Sequence, residues 1–131
     1  MLLVGELQAI SQDRLQDARA LMTAQRFDGA VYICGYAVEL ALKARACLTL
    51  GWNGFPETNT EFQGIQSLKT HDLEILLRFS GLAGQIRAKH PAKWSVILNW
   101  NPAKRYRRSG DSTPKEATEM ISAATTLVGV L

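Results

Sequence analysis

The stretch most restrictive of the fold is residues 27–48, FDGAVYICGYAVELALKARACL. It is the most apolar run in the chain and holds no proline. Ala30, Ile33, Cys34, Ala37, Val38, Ala41, Ala44 and Leu48 recur at steps of three and four, which makes one wide apolar face on a helix. Many of these side chains are small, so neighbouring helices can approach closely. Asp28 is suited to cap the start, because a short carboxylate accepts from the free N–H groups of a first turn. Glu39 and Lys43 stand four residues apart inside this apolar setting. Two readings are open for them: an exposed ion pair worth about 0.2–0.5 kcal/mol, or a half-buried pair holding polar partners on another helix.

The flanking sequence supplies helices to pack around this one. Residues 3 to about 25 form a first helix, with Leu7, Ile10, Leu15, Ala18, Leu21 and Met22 as an imperfect stripe. Gln25-Arg26-Phe27 is short enough to be only a turn, so these two helices pack antiparallel. Residues 52–68 have neither a helical nor an alternating period and read as a long loop, either a functional segment or a poorly ordered insert. Thr70 or His71 caps a short helix over residues 72–79, with Leu73, Leu76 and Leu77 inward and Gly81 as its stop. A fourth helical segment, residues 82–100, is broken or started at Pro91; Trp94, Ile97 and Leu98 are its core face and His90 is its cap. Pro102 disfavours helix at Asn101. Thr113-Pro114-Lys115-Glu116 is a capping box with proline at the first helical position. The last helix follows it, with Ala117, Met120, Ile121, Ala124, Val128 and Leu131 as its stripe. No strand is expected. The whole is a single all-α domain, residues 1–131, an antiparallel up-and-down bundle of four to five helices.

Composition removes several alternatives. A chain of 131 residues with 47% hydrophobic content suits one soluble domain. No apolar run reaches the roughly 18 residues of a membrane span, and the first residues lack the basic leader and long apolar core of a signal peptide. Cys34 and Cys47 would lie about 20 Å apart on one helix and cannot pair. With His71 and His90 they make no zinc set, and no metal or cofactor is expected. A reduced, cytoplasmic protein is the default. The net charge of +3 is small, but its distribution is uneven. Between Glu74 and Asp111 there is no acidic residue, while Arg78, Arg87, Lys89, Lys93, Lys104, Arg105, Arg107 and Arg108 fall in that span.

The densest part is Lys104-Arg105-Tyr106-Arg107-Arg108. Four cations flank one aromatic ring, and Gly110 follows. Guanidinium groups bind phosphate bidentately and tyrosine stacks on bases; the plainer alternative is a solvated basic loop. Phosphate-cradling glycine loops, nucleophile elbows, HExxH motifs and paired carboxylates are all missing.

Three pieces in order, FDGAVY with GYAVELALKA (residues 27–44), KTHDLEILL (residues 69–77) and Lys104-Arg105-Tyr106 ahead of a terminal amphipathic helix, resemble HEPN domains. These are small helical bundles linked to nucleotide or RNA handling. The resemblance spans nearly the whole chain. It implies a module that binds nucleotide or RNA phosphate through Lys104, Arg105, Tyr106, Arg107 and Arg108, with Tyr36, Glu39 and Lys43 supporting that loop. It also implies a homodimer and a small nucleotidyltransferase as partner, in a toxin–antitoxin-like pair. The family's ribonucleases carry an Arg, four to six residues, then a His. The matching positions here are Ala83, Gly84 and Gln85 before His90, and Gly64, Ile65 and Gln66 before His71, so the expected module is non-catalytic. The alternatives are a metal-independent ribonuclease using His71 or His90 with a nearby arginine such as Arg87, and a dimerising adaptor for an acidic protein.

Overall fold

The computed structural model describes residues 1–102 and 110–131. Its six helices are α1 (Val4–Thr23), α2 (Phe27–Leu50), α3 (Leu73–Ser80), α4 (Ala83–Lys89), α5 (Pro91–Leu98) and α6 (Pro114–Val130). Among the described residues the fold is all-α apart from one small antiparallel pairing. Helix α2 is the centre, packing against α1, α3 and α6. Ala30, Cys34, Ala37, Val38, Leu42, Ala46 and Cys47 are all fully buried, so α2 is covered on more than the one face its spacing suggests. Leu48, assigned to the core by periodicity, is half exposed where α2 runs out of neighbours. Gly51 ends the helix at φ 71°, a conformation that suits a residue without Cβ.

The α1–α2 pair is antiparallel, as the short connection requires. Gly29 faces Leu21, and the Ser11 hydroxyl donates to the Ala37 carbonyl at 2.6 Å. That bond satisfies a hydroxyl that is 1% exposed. Leu7, Leu15 and Ala18 of α1, and Ala117, Met120, Ala124 and Leu127 of α6, complete the main core. Thr113 caps α6 as its sequence predicts, its hydroxyl accepting from the Glu116 N–H.

Three expectations are corrected. Residues 52–68 are not a disordered insert: Phe55, Phe62 and Leu68 are buried, and a 3₁₀ turn spans Gln66–Leu68. This segment also carries a strand that periodicity cannot reveal. Strands β1 (Leu2–Leu3) and β2 (Gly54–Phe55) pair antiparallel, two residues each, too short to show an alternating pattern. The fourth helical segment is broken just before Pro91 into α4 and α5, as expected, but Leu98, assigned to its core face, points outward while Trp94, Ile97 and Trp100 are buried. Among the described residues, no helix is long and apolar enough to cross a membrane.

Candidate functional site

One face of α2 is polar. Tyr32, Tyr36, Glu39 and Lys43 lie at steps of four, three and four, so helical geometry stacks them in one row. Glu39 is 3% exposed, which places a carboxylate in the interior. Such a group needs partners, and it has two. Its Oε2 lies 3.4 Å from Lys43 Nζ, and its Oε1 lies 2.6 Å from Nδ1 of His71. The pair is half-buried, as the second reading has it, but its further partner His71 stands ahead of α3 rather than on a helix. Lys43 also sits 5.1 Å from the centroid of the Phe55 ring, so the segment after α2 closes over the pair.

His71 reaches Glu39 because the entrance to α3 is rigidly built. The cap is Asp72, not Thr70 or His71: its Oδ1 accepts from the N–H groups of Glu74 and Ile75. The Thr70 hydroxyl in turn accepts from the Asp72 N–H at 2.9 Å. His71, between two residues occupied with backbone, turns its ring to α2. A carboxylate only accepts, so the proton of that contact sits on Nδ1. The His71 side chain is 57% exposed, and Nε2 is the ring atom left for a ligand.

Aromatic rings continue the cluster. Tyr36 stands edge-on to Tyr32, Trp100 and His71, with centroids 5.2, 5.0 and 6.1 Å away. Trp100 lies flat on Gly35: a Cβ there would be 2.0 Å from the indole. The indole N–H donates to the Tyr32 carbonyl at 3.0 Å. This is the reason for a glycine in mid-helix, where it otherwise costs about 1 kcal/mol relative to alanine.

Lys104, Arg105, Tyr106, Arg107 and Arg108 lie outside the described residues. The chain on both sides of them is held by α2. Trp100 fixes the approach. On the return, the Asp28 carboxylate accepts from the N–H groups of Gly110 at 2.6 Å and Ser112 at 2.7 Å. Asp28 is thus not a cap for its own helix; Arg26 is the residue at the cap position, without a side-chain bond. Desolvation works against the Asp28 charge, but the two backbone donors outweigh it and hold the carboxyl below its ordinary range. Asp28 and Gly35 are seven residues apart, so the two attachments lie about 10 Å apart on one helix. A pocket of about 230 Å³ opens beside the return, lined by Leu21, Arg26, Phe27, Asp28 and Gly110.

The second histidine is differently placed. His90 stands between α4 and α5 and its side chain makes no capping bond. Arg87 does not join it: its guanidinium lies 2.6 Å from Glu74 Oε2, while Trp94 donates to the other oxygen of that carboxylate at 2.7 Å. The Trp94 bond, then the Arg87 pair, keeps Glu74 ionised below its usual range. This triad ties α3 to α4 and α5, which is structural work.

Among the described residues no three His, Cys, Asp or Glu side chains converge as metal ligands. Both cysteines are free and buried, and burial pushes the Cys34 thiol up to about 12. Comparison with protein-family models, with curated proteins and with solved structures finds no match to this chain.

The sequence reading brought out Tyr36, Glu39, Lys43 and His71 but not that the last two share one carboxylate. It missed Asp28 as a clamp and Gly35 as the seat of Trp100. A glycine inside an otherwise unbroken helix was the available signal.

Proposed function

We propose that the chain is a HEPN-like, up-and-down helical module that binds the phosphates of a nucleotide or RNA through Lys104, Arg105, Arg107 and Arg108, with Tyr106 stacking on a base. The observation that carries this reading is the double attachment of the chain around those residues. Trp100 in the Gly35 groove and the Asp28 clamp fasten the chain just before and just after the basic segment to the helix that carries Tyr32 and Tyr36, with His71 against Tyr36. Cations there meet phosphate, and aromatic rings and an imidazole edge stand ready for the rest of a nucleotide. A solvated basic loop needs no such anchoring, and solubility does not require the aromatic and imidazole cluster beside Trp100.

The module works in the cytoplasm as a homodimer beside a small nucleotidyltransferase, as the resemblance implies. Its binding test is fluorescence anisotropy with a short labelled RNA. Affinity should fall steeply with salt, because phosphate contacts release counterions. Arg105→Ala should weaken binding about tenfold with little change in melting temperature; an unchanged affinity would refute the assignment.

A catalytic reading has one observation in its favour, the carboxylate behind His71, since such an arrangement orients an imidazole for proton transfer. It lacks a described arginine beside that ring, Arg87 being held by Glu74. Labelled RNA incubated in EDTA separates the two: the non-catalytic module leaves it intact.

A further inference from the structure

Residues 52–68 take no part in the proposed phosphate site, yet they are folded. We propose that they build a separate site for a small organic amine, with the apolar body of the ligand in a hollow beside β2 and its ammonium toward Glu61. This goes beyond the phosphate reading and does not depend on it.

The hollow holds about 350 Å³, within the roughly 300–1,000 Å³ of small-molecule sites. Met1, Trp52, Pro56 and Ile65 are its apolar walls, and Gly54 and Glu61 are its polar members. The walls are preformed. The Trp52 N–H donates to the Cys47 carbonyl at 2.8 Å and the Ile65 N–H to the Phe62 carbonyl at 2.9 Å. Phe55 and Phe62, both buried, meet edge-on with centroids 6.0 Å apart and anchor the segment to the core. Glu61 is placed from two sides: its N–H donates to the Thr58 hydroxyl at 3.1 Å, and its Oε2 accepts from the Glu57 N–H at 2.9 Å.

Glycine has no side chain, so Gly54 lines the hollow with backbone. Its direction follows from the register. The Val4 N–H donates to the Asn53 carbonyl at 3.2 Å, which makes Leu3 and Gly54 a non-hydrogen-bonded pair of the antiparallel ladder. The Leu3 N–H accordingly goes to Glu6 Oε2 at 2.9 Å. The Gly54 carbonyl is thus free of the ladder, in a residue that is buried. A Cβ at this position would lie 2.8 Å from Met1 Sδ and 2.5 Å from the Leu2 carbonyl oxygen, so the close approach of β1 requires the glycine.

Charge selects the ligand. The Met1 ammonium lies 3.0 Å from Glu57 Oε2 and 3.2 Å from Glu61 Oε1. An ammonium is therefore the kind of group these carboxylates already hold, and two carboxylates against one ammonium leave a negative charge over. Lys69, the one cation in residues 52–69, does not answer it, because its Nζ donates to Asn59 Oδ1. The Glu57 N–H, then the Met1 ammonium, hold the Glu61 carboxyl below its ordinary range, so the charge persists at neutral pH. A carboxylate and a carbonyl only accept, which suits an amine, and an indole face adds cation–π attraction. An anion finds no donor of matching charge there.

The test is calorimetric titration of the intact chain with phenethylamine, phenethyl alcohol and phenylacetate, which share one apolar body. The amine should bind saturably, about three- to tenfold tighter than the alcohol, and phenylacetate should not bind. Trp94 and Trp100 are 4% and 6% exposed, so the fluorescence change on amine binding should come from Trp52 and vanish in Trp52→Phe. Glu61→Gln keeps an acceptor for the Glu57 N–H but loses the charge, and should bind amine and alcohol alike. Ile65→Trp fills the hollow and should bind neither; melting temperatures check that both variants fold. The comparison of ligands on the wild type decides the matter without any variant. No saturable binding of the amine, equal affinity for amine and alcohol, or a preference that survives Glu61→Gln overturns the inference. RNA affinity of Glu61→Gln should match the wild type, so the two sites are judged separately.

Discussion

Helix α2 has two faces of different chemistry. The face toward α1 and α6 is Ala30, Cys34, Ala37, Val38 and Ala41, small side chains in continuous contact, with one hydroxyl bond from Ser11 across it. The other face is Asp28, Tyr32, Gly35, Tyr36, Glu39 and Lys43. Asp28, the Tyr32 carbonyl and Glu39 on it are each answered from a distant part of the chain, by Gly110 and Ser112, by Trp100 and by His71. The first face can be exchanged for other apolar packing at modest cost, as cores generally can. The second cannot, because its contacts are specific and directional. Under the proposed function, the first face sets how stable the protein is and the second sets what it does.

Substitutions can test that division. Leu42→Ala removes a fully buried side chain of α2 and should cost about 3–4 kcal/mol of stability by denaturant titration. Below the transition it should leave RNA affinity untouched. Gly35→Ala should cost somewhat less, about 2–3 kcal/mol, since the added methyl must displace Trp100. Here affinity should fall with stability, because the approach to residues 103–109 moves too. If Gly35→Ala behaves like Leu42→Ala, the two faces are not functionally distinct. Asp28→Ala is the mildest, about 1 kcal/mol for bonds made near the surface, yet it should weaken binding more than Leu42→Ala does. Its pH dependence follows from the lowered carboxyl. The clamp's contribution is fully present above the ordinary value of 3.8 and is lost as pH falls through the lower folded value. The stability gap between wild type and Asp28→Ala should therefore be constant near neutrality and close in acid.

How far the sequence reveals this arrangement depends on the range of the interaction. The helices are legible because their apolar residues repeat at local spacing, and Thr113-Pro114 and Gly51 mark ends by chemistry that acts within a turn. The pairing of β1 with β2 is not, since two residues carry no period. Glu39 announces itself as a carboxylate among alanines, but its partner is 32 positions away. Nothing local distinguishes His71 from His90, each of which precedes a helix. Asp28 looks like a cap from its neighbours and becomes a clamp through residues more than 80 positions downstream. The basic run of residues 104–108 is visible in sequence and falls outside the described residues, so its role rests on the chemistry of its cations and on the anchors around it.

Those anchors also affect how this protein can vary. With both stems of residues 103–109 fastened to one rigid rod, the bundle does not depend on how long the tether between them is. Doubling a flexible connection adds only about 0.6 kcal/mol of closure entropy. Insertions, deletions or a wholesale exchange of that tether should leave the scaffold standing, so under the proposed reading the segment assigned to the ligand is free to diversify while the rest stays fixed.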